Sequence, residues 1–398
     1  MNYLKRSLEL KDEIIATRRH IHQFPELGSE QINTSEFVKN KLKEFGLSPI
    51  NVGGYGVSAT IGKGSPVLLL RADMDALPMT EQSGLNFASK IDGVAHCCGH
   101  DTHTAMLLYA AKMLKENEDN LKGTVKLMFQ PAEEIGDGCQ SMVDDGILQN
   151  PSVDYAMAMH VDAGSPLGMV SYSENAAFCS NDVFEVKVTG KDGHGARPHQ
   201  CIDSINAAAH IVIALETLIA RESDPSETNI LTVCSIESST KIFNIMPAFT
   251  TIMGSIRTYN ESQRQMLLRR FKEVCEYTAK SFGCSVEIDI SQSMPTLCVD
   301  NRMENKMLSY IKKELGDEVT INEKPIKKMG SEDFCCVTNL VPSAFFFMGA
   351  GIDRVTPYHC SQHNAGVVFN EDMLHLGSSI FCYCAASWLE DNQKLNDY

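Results

Sequence analysis

The sequence predicts an α/β protein whose larger domain is a mixed, mostly parallel sheet flanked by helices. A smaller α+β unit of ferredoxin-like β-α-β-β-α-β order is inserted into it. Three observations carry this expectation. Continuously apolar runs of strand length alternate with helical patterns at both ends of the chain, the signature of a sheet buried on both faces. Several of these runs stop abruptly at acidic or imidazole residues, as strands do whose C-terminal ends form a site. Between residues 179 and 293 the texture becomes strand, helix, two strands, helix, strand.

Taken in order, "LKRSLELKDEIIATRRHIHQFPELG" reads as one helix closed near Pro25 and Gly28, and "NTSEFVKNKLKEFGL" as a second, with Asn33 to Ser35 as caps and Gly46 as stop. "GVSATIG" and "PVLLLRADMD" follow as strands. The stretch from Thr102 to Lys115 is helical, with Asp101 as its expected N-cap. "TVKLMFQ" is a strand broken by Pro131. A short helix near "CQSMVDDGIL" precedes the strand "DYAMAMHV". In the inserted unit, "DVFEVKVTG" alternates as a half-exposed strand does, and "SINAAAHIVIALETLIA" is a helix. "NILTVCSIES" and "FTTIMGSIRTY" are strands, "ESQRQMLLRRFKEVCEYTAKSFG" is a long amphipathic helix, and "CSVEIDIS" closes the group. The first texture resumes near Asn301, with "FFFMGAG" as a strand and "EDMLHLGSSIFCYCAASWLED" as the last helix. The expected domains are thus 1–178 and 294–398 for the larger one and 179–293 for the insertion.

The chain has 398 residues, 43% of them hydrophobic and 22% charged, enough to build a core without staples. A net charge of −16 opposes binding to nucleic acid or to an anionic membrane, both of which need a basic face. The fourteen cysteines are irregularly spaced and lack a C-x-x-C motif. The N-terminal stretch is charged throughout, unlike a signal peptide, and no run approaches the apolar length of a membrane span. A reduced, cytoplasmic location is expected, with most cysteines acting as small apolar groups.

Chemistry concentrates in a few places. "AHCCGHDTHTAML" puts Cys98 and His100 two apart, so that in an extended segment both point the same way. A thiolate and an imidazole can then meet one ion, although an isolated Cys-x-His is as readily a buried structural pair. In "FQPAEE" a strand stops at Pro131 and delivers the adjacent carboxylates Glu133 and Glu134, which repel unless a cation or solvent compensates. A metal hydrolase needs both, one to bind the ion and one to take a proton from water. "AMAMH" ends a third strand in His160, "RADMDALP" a fourth in Asp73 and Asp75, and "YHCSQHNAGVVFNED" offers His359 and His363 before the last helix. Each alone has a bland alternative, but together they suggest neighbouring strand ends around one centre.

With these residues in view, the sequence resembles the amidohydrolase family of metallopeptidases that holds bacterial N-acyl-amino-acid deacylases, hippurate hydrolases and plant auxin-conjugate hydrolases. The matching pieces are "RRHIHQFPELG", "RADMDALP", "CGHDTHTAMLL", "QPAEE", "GKDGHGARPH", "NIMP", "GSIRTY", "GSEDF" and "HNAGVVFNED", in family order across nearly the whole chain.

The resemblance implies five metal ligands, Cys98, His100, Glu134, His160 and His363, with Glu133 as general base. Five ligands exceed one tetrahedral shell and agree with two divalent ions. Zinc or manganese is expected, with cobalt or nickel as further options, and the thiolate favours a borderline-soft ion. Asp75 is implied to orient a ligand. His194 of the insertion is implied to polarise the scissile carbonyl, worth about 3 kcal/mol, and Asn244 and Arg257 to contact substrate, with Arg257 pairing an amino-acid carboxylate. His20, His22, His103 and His199 are expected to support the site or the fold. Glu332 could approach the site or simply begin a helix.

The sequence departs from the family pattern in three places. Ala365-Gly366-Val367 replaces a proline and a charged or aromatic pair, which keeps His359 as a rival to His363. Cys97 stands where a small residue is common, and Asp73 stands where related co-catalytic enzymes have a histidine ligand. The implied activity is hydrolysis of small N-acyl-L-amino acids to a carboxylic acid and a free amino acid. A dipeptidase or carboxypeptidase with the same machinery is the alternative. The insertion is implied to act as lid and dimerisation domain, giving a homodimer or a tetramer.

Overall fold

The computed structural model describes residues 1–28 and 30–393, without the side chain of Gln292, so the expected final segment 294–398 runs past its end. The chain divides into two compact units. The larger comprises Met1–Ala177, Cys298–Lys327 and the chain from Asp333 on, and the smaller comprises Phe178–Leu297 with Lys328–Glu332. The short return of 328–332 to the smaller unit has no signature in composition or periodicity.

In the larger unit, strands β1 (Ile50–Val52), β2 (Gly56–Gly62), β3 (Val67–Asp73), β4 (Thr124–Gln130), β5 (Tyr155–Asp162) and β6 (Met169–Ser171) join two later strands, Thr320–Ile321 and Ser343–Gly349, in one sheet. Its order is β1, β2, β4, β3, β5, Ser343–Gly349, β6, Thr320–Ile321. The centre is parallel, from β4 through β3 and β5 to Ser343–Gly349. The β1–β2, β2–β4 and Ser343–Gly349–β6 pairs are antiparallel. Strands β3, β4 and Ser343–Gly349 are buried along their whole length, which is why they read as apolar runs rather than alternations. Register sets Asp73 beside Gln130, and Phe347 beside His160. The chemically active ends of β3, β4 and β5 therefore lie side by side at one edge.

Helices α1 (Tyr3–Glu9), α2 (Lys11–Gln23), α3 (Ile32–Glu44) and α4 (His100–Glu116) precede α5 (Gly138–Asp144), and the short helix Cys335–Thr338 and the long helices Asn301–Leu315 and Leu374–Asn392 follow in the same unit. Helix α4 is buried nearly all round, as expected of a helix covered by other helices as well as by the sheet. Leu107 and Leu108 are fully buried, each stabilising the unit by about 1.5–3 kcal/mol through removal from water.

Three local expectations are corrected. The first helix is two, because the buried Leu10 ends α1 and begins α2. Gln31 occupies the capping position of helix α3 without a side-chain cap, and Glu26 instead accepts hydrogen bonds from the Asn33 and Thr34 amides. Asp101 is not the cap of α4; Gly99 is. Asp101 lies in the first turn, fully buried, paired to Arg18 Nε at 2.6 Å and His22 Nδ1 at 2.9 Å.

The smaller unit runs Asn181–Thr189, helix Ser204–Thr217, Asn229–Ser238, Phe249–Thr258, helix Glu261–Ser281 and Ser285–Met294. Its sheet order is second, third, first, fourth, with every pair antiparallel, the ferredoxin-like arrangement. Asp203 and Asn260 cap the two helices through their side chains. Phe184, Val186, Ile211, Leu215, Leu267 and Phe271 form its own core. One helix among the described residues, Ser204–Glu222, has the length and composition to cross a bilayer, contrary to the reading of the sequence. Ala207, Ala208, Ile211, Leu215 and Leu218 of that helix are part of the unit's core, and His210, Glu216, Arg221 and Glu222 interrupt its apolar character.

Candidate metal centre

The site grows from four segments. The first is the entry to α4. Gly99 has φ +98, and a side chain there would place its Cβ 2.5 Å from Val161 Cγ2. Only glycine allows the chain to turn between Cys98 and His100 so close to β5. The second is the turn after β4, where Ala132 takes φ +56. Gly138 closes that turn with its Cβ position 1.5 Å from the Pro131 carbonyl oxygen, so Glu133 and Glu134 stand on a loop with no slack. The third is the end of β5, carrying His160. The fourth is the segment before the last helix, where His363 has φ +61 and its amide donates to the Cys97 carbonyl at 2.9 Å. A histidine in the left-handed region is uncommon enough to point to a positioned side chain.

These segments bring together all five residues expected as ligands. Cys98 Sγ is 3.3 Å from His160 Nε2. His363 Nε2 is 3.4 Å from Glu134 Oε2, and His100 Nε2 is 3.8 Å from Glu134 Oε1 and 3.9 Å from Glu133 Oε2. Two groupings within 4.8 Å share the thiol, Cys98–His100–His160 and Cys98–Glu134–His363, and a third joins His100 to Glu133 and Glu134. His359 is exposed and joins none of these groups among the described residues. Cys97 is buried beside the site without entering a group, and burial pushes its thiol up to about 12.

Whether this set suits a metal is answered by its hydrogen bonding. His100 donates from Nδ1 to Asp75 Oδ1 at 3.1 Å, and His160 donates from Nδ1 to the Val161 carbonyl at 2.7 Å. His160 thus keeps an Nε2 lone pair facing the cluster. Against its burial, the charge of Asp73 and the hydrogen bond to Asp75 raise His100 well above its ordinary value, so a cation binding at its Nε2 replaces a proton. His100 Nε2 and Glu134 Oε1 are buried and have no hydrogen-bond partner among the described residues. Buried polar atoms are rarely left so, and a buried imidazole nitrogen and carboxylate oxygen set among acids suit a cation, whether a proton or a metal ion. Burial drives the His160 imidazole well below its ordinary value, keeping it neutral as a ligand must be. Hydrogen bonds with Cys98 and Glu134 pull the His363 imidazole up to about 10, while burial pushes the Cys98 thiol up to about 11, so the thiol becomes a thiolate only when a cation binds it. Burial opposes the charge of Glu134, yet His363 and His100 hold it below the usual carboxylate range. The residues present fit a metal centre.

Asp75 does more than orient His100. Its second oxygen accepts the Glu134 amide at 2.9 Å, which fixes the carboxylate loop to the same anchor. Asp73 lies one layer deeper. Its Oδ1 meets His103 Nδ1 at 2.5 Å, its Oδ2 meets Arg71 Nη1 at 2.7 Å, and it stands 3.6 Å from His100 Nε2. His103 Nε2 in turn accepts the Val161 amide at 2.9 Å. His22 sits between Asp101 and Glu81, whereas His20 stacks on Phe37 at 4.4 Å, away from the cluster.

Sequence reasoning missed Arg71, Gln130 and Asp333. Asp333 accepts from Arg71 Nη2 at 3.2 Å, from Gln130 Nε2 at 2.7 Å and from the Cys139 amide at 3.0 Å. Arg71 Nε donates to Gln130 Oε1 at 2.8 Å. The signal was there to see, a charged residue inside an otherwise apolar strand run and an acid beside the flagged Glu332.

In the smaller unit, His194 and Asn244 meet in one ribbon. His194 pairs with Ile245, and the Gly195 amide donates to the Asn244 carbonyl at 2.8 Å. Both side chains are exposed, as is His199. The Arg257 guanidinium donates to the Met329 carbonyl at 3.1 Å. Glu332 belongs to the short 328–332 segment of the same unit.

Comparison with known proteins agrees with this geometry. Residues 69–386 match the model of peptidase family M20/M25/M40. The IAA-amino acid hydrolase ILR1-like 4 of Arabidopsis thaliana is 36% identical over 95% of this chain and 86% of its own. The N-acetyl-L-cysteine deacetylase of Bacillus subtilis is 33% identical over 97% and 90%, and the hippurate hydrolase of Campylobacter jejuni 32% over 98% and 100%. Among solved structures, a Staphylococcus aureus protein described as a putative aminohydrolase superposes with a TM-score of 0.92 at 30% identity, covering 98% of this chain and all of that one. A Bacillus subtilis dinuclear metal-binding peptidase of the M20 family superposes with a TM-score of 0.82 at 28% identity, over 96% and 99%. A cluster of thiol, imidazole and carboxylate ligands at the ends of parallel strands, in a chain matched along nearly its full length, leads to one conclusion: the chain belongs to peptidase family M20/M25/M40 and is a metal-dependent amidohydrolase.

Proposed function

We propose that the chain hydrolyses N-acyl-L-amino acids to a carboxylic acid and a free amino acid. The observation that carries the reading is the pair of buried, unpartnered ligand atoms, His100 Nε2 and Glu134 Oε1, with Glu133 beside them. Cys98, His100, Glu134, His160 and His363 would hold two divalent ions, zinc or manganese first, with cobalt or nickel as alternatives. When bound, such ions polarise an acyl carbonyl and make water acidic enough to lose a proton near neutral pH.

The protein's own groups do the rest. Glu133 is nearly buried, at 9% exposure. Its carboxylate takes the proton from the attacking water and passes it to the departing amine nitrogen. Asp75 keeps His100 in the tautomer that leaves Nε2 bare and holds the Glu134 amide, so the ligand cage is rigid before substrate arrives. His194 is assigned to the substrate carbonyl oxygen as a hydrogen-bond donor, and Asn244 and Arg257 to substrate contacts. The assembly proposed is a homodimer through the inserted unit, in the cytoplasm. Support for the substrate class comes from relatives whose names describe amides of amino acids.

The test is a panel of acetyl, benzoyl and indoleacetyl amino acids against dipeptides, using metal-loaded protein. Turnover of at least one acyl series should exceed that of dipeptides by more than about tenfold. A preference for dipeptides would replace this reading with the peptidase one.

A further inference from the structure

The mechanism leaves one pair of nucleophilic groups unused. Cys139 begins α5, directly after the loop that carries Glu133 and Glu134, and Cys336 lies in the short helix Cys335–Thr338, directly after Asp333. They are 197 positions apart in sequence and brought close in space, near enough for each sulfur to act on the other's ionisation. Asp333 holds both. Its carboxylate accepts the Cys139 amide at 3.0 Å, and its carbonyl accepts the Cys336 amide at 2.9 Å. Helix α5 packs against Cys335–Thr338. Cys139 is fully buried, whereas Cys336 is partly accessible.

We propose that Cys139 and Cys336 form a dithiol–disulfide modification site that takes small disulfides of the glutathione class and, when oxidised, slows the enzyme. Hydrogen bonding with Cys139 and Cys335 lowers the Cys336 thiol, making it the more readily ionised of the pair. Burial keeps Cys139 protonated. That division suits a partly exposed attacking sulfur and a sheltered resolving one. The Cys336 thiolate attacks one sulfur of the small disulfide, and the first small thiolate leaves. The Cys139 sulfur then attacks the Cys336 sulfur of the mixed disulfide, giving up its proton, and the second small thiolate leaves. The protein loses two electrons; the departing small thiolates take up the Cys139 proton and one from solvent, matching the proton Cys336 gave up on ionising, so the small disulfide becomes two small thiols.

The consequence for catalysis follows from the loop. A covalent S–S bond is shorter than any non-bonded sulfur contact, so closing it pulls on the Cys139 backbone. The Asp137 and Gly138 amides both bond the Ala132 carbonyl, at 3.3 and 3.2 Å. Gly138 leaves no room against Pro131, and the shift passes to Glu133 and Glu134.

The experiment treats metal-loaded protein with oxidised glutathione, blocks remaining thiols with an alkylating agent, and maps peptides without reduction. The expected product joins the Cys139 and Cys336 peptides, turnover falls at least about threefold, and reduced glutathione restores both. Cys336→Ser should keep basal turnover and resist the treatment. Cys139→Ser should stop at a glutathione adduct on Cys336. Full alkylation of both cysteines after treatment, pairing of Cys336 with another cysteine, or cross-linking with unchanged turnover would each overturn the proposal. The peptide map needs no substrate, so it stands or falls separately from the assigned reaction.

Discussion

Replacing Arg71 with methionine separates the support of the metal site from the site itself. The guanidinium is 1% exposed and bonds Asp73 at 2.7 Å, Gln130 at 2.8 Å and Asp333 at 3.2 Å. Methionine fills much of the volume but leaves two carboxylates, each 0% exposed, without their shared cation. Removing one partner of a buried pair in this way costs about 3–5 kcal/mol. At roughly 2 °C per kcal/mol, the low end for large domains, the melting temperature should fall by about 6–10 °C. Asp73 also holds His103, which receives the Val161 amide next to His160. Loosening that chain should weaken metal binding by about 10–100-fold, the usual effect of losing an outer-layer partner. Thermal unfolding of the metal-free protein and competitive metal titration read the two effects independently. Arg71→Lys should fall between, since a compact ammonium keeps the charge but cannot span the three acceptors that the flat guanidinium fork reaches. If Arg71→Met unfolds within about 1 kcal/mol of the parent and binds metal as tightly, the network is not what steadies the strand ends.

Three further outcomes follow from the same structure. Because Cys98 belongs to both ligand groupings, Cys98→Ser should weaken both ions, whereas His160→Ala should weaken only one, as read by metal stoichiometry during titration. Stripping metal with a chelator should abolish turnover and lower stability by about 4 kcal/mol relative to protein held at a thousand times the dissociation constant, measured by urea unfolding. Burial first, and Lys11 second, lower His375 to about 4. A depressed histidine contributes stability present above its unfolded value near 6.5 and lost as pH falls towards 4, about 3 kcal/mol in all. His375→Gln should flatten the stability profile across that window, and an unchanged slope would contradict the assignment.

Much of the centre was legible because strand burial and ligand chemistry leave sharp marks. "PVLLLRADMD" and "TVKLMFQPAEE" pass from mostly apolar to acidic at or just beyond the residues where β3 and β4 end. The adjacency of those ends was expected from α/β logic; which strands are neighbours was not, because register and strand order are set by packing far along the chain. The role of Asp101 was misread for a related reason. An acid at a helix start is ordinarily a cap, but Arg18 and His22, some eighty positions earlier, claim it as a buried counter-ion. The cysteines were unreadable as a pair for the same cause. Nothing around Cys335-Cys336 in the sequence points to Cys139, and only the fold brings the two segments together. The ferredoxin-like insertion was the easiest part, since its strands alternate and its two helices are long.

The central claim is that a metal cluster activates water while Glu133 handles the proton. Glu133→Gln tests it most directly, with metal content and turnover measured on the same sample. Two ions per chain should remain while turnover falls by about 10²–10⁴-fold. Turnover close to that of the parent with both ions in place would contradict the account.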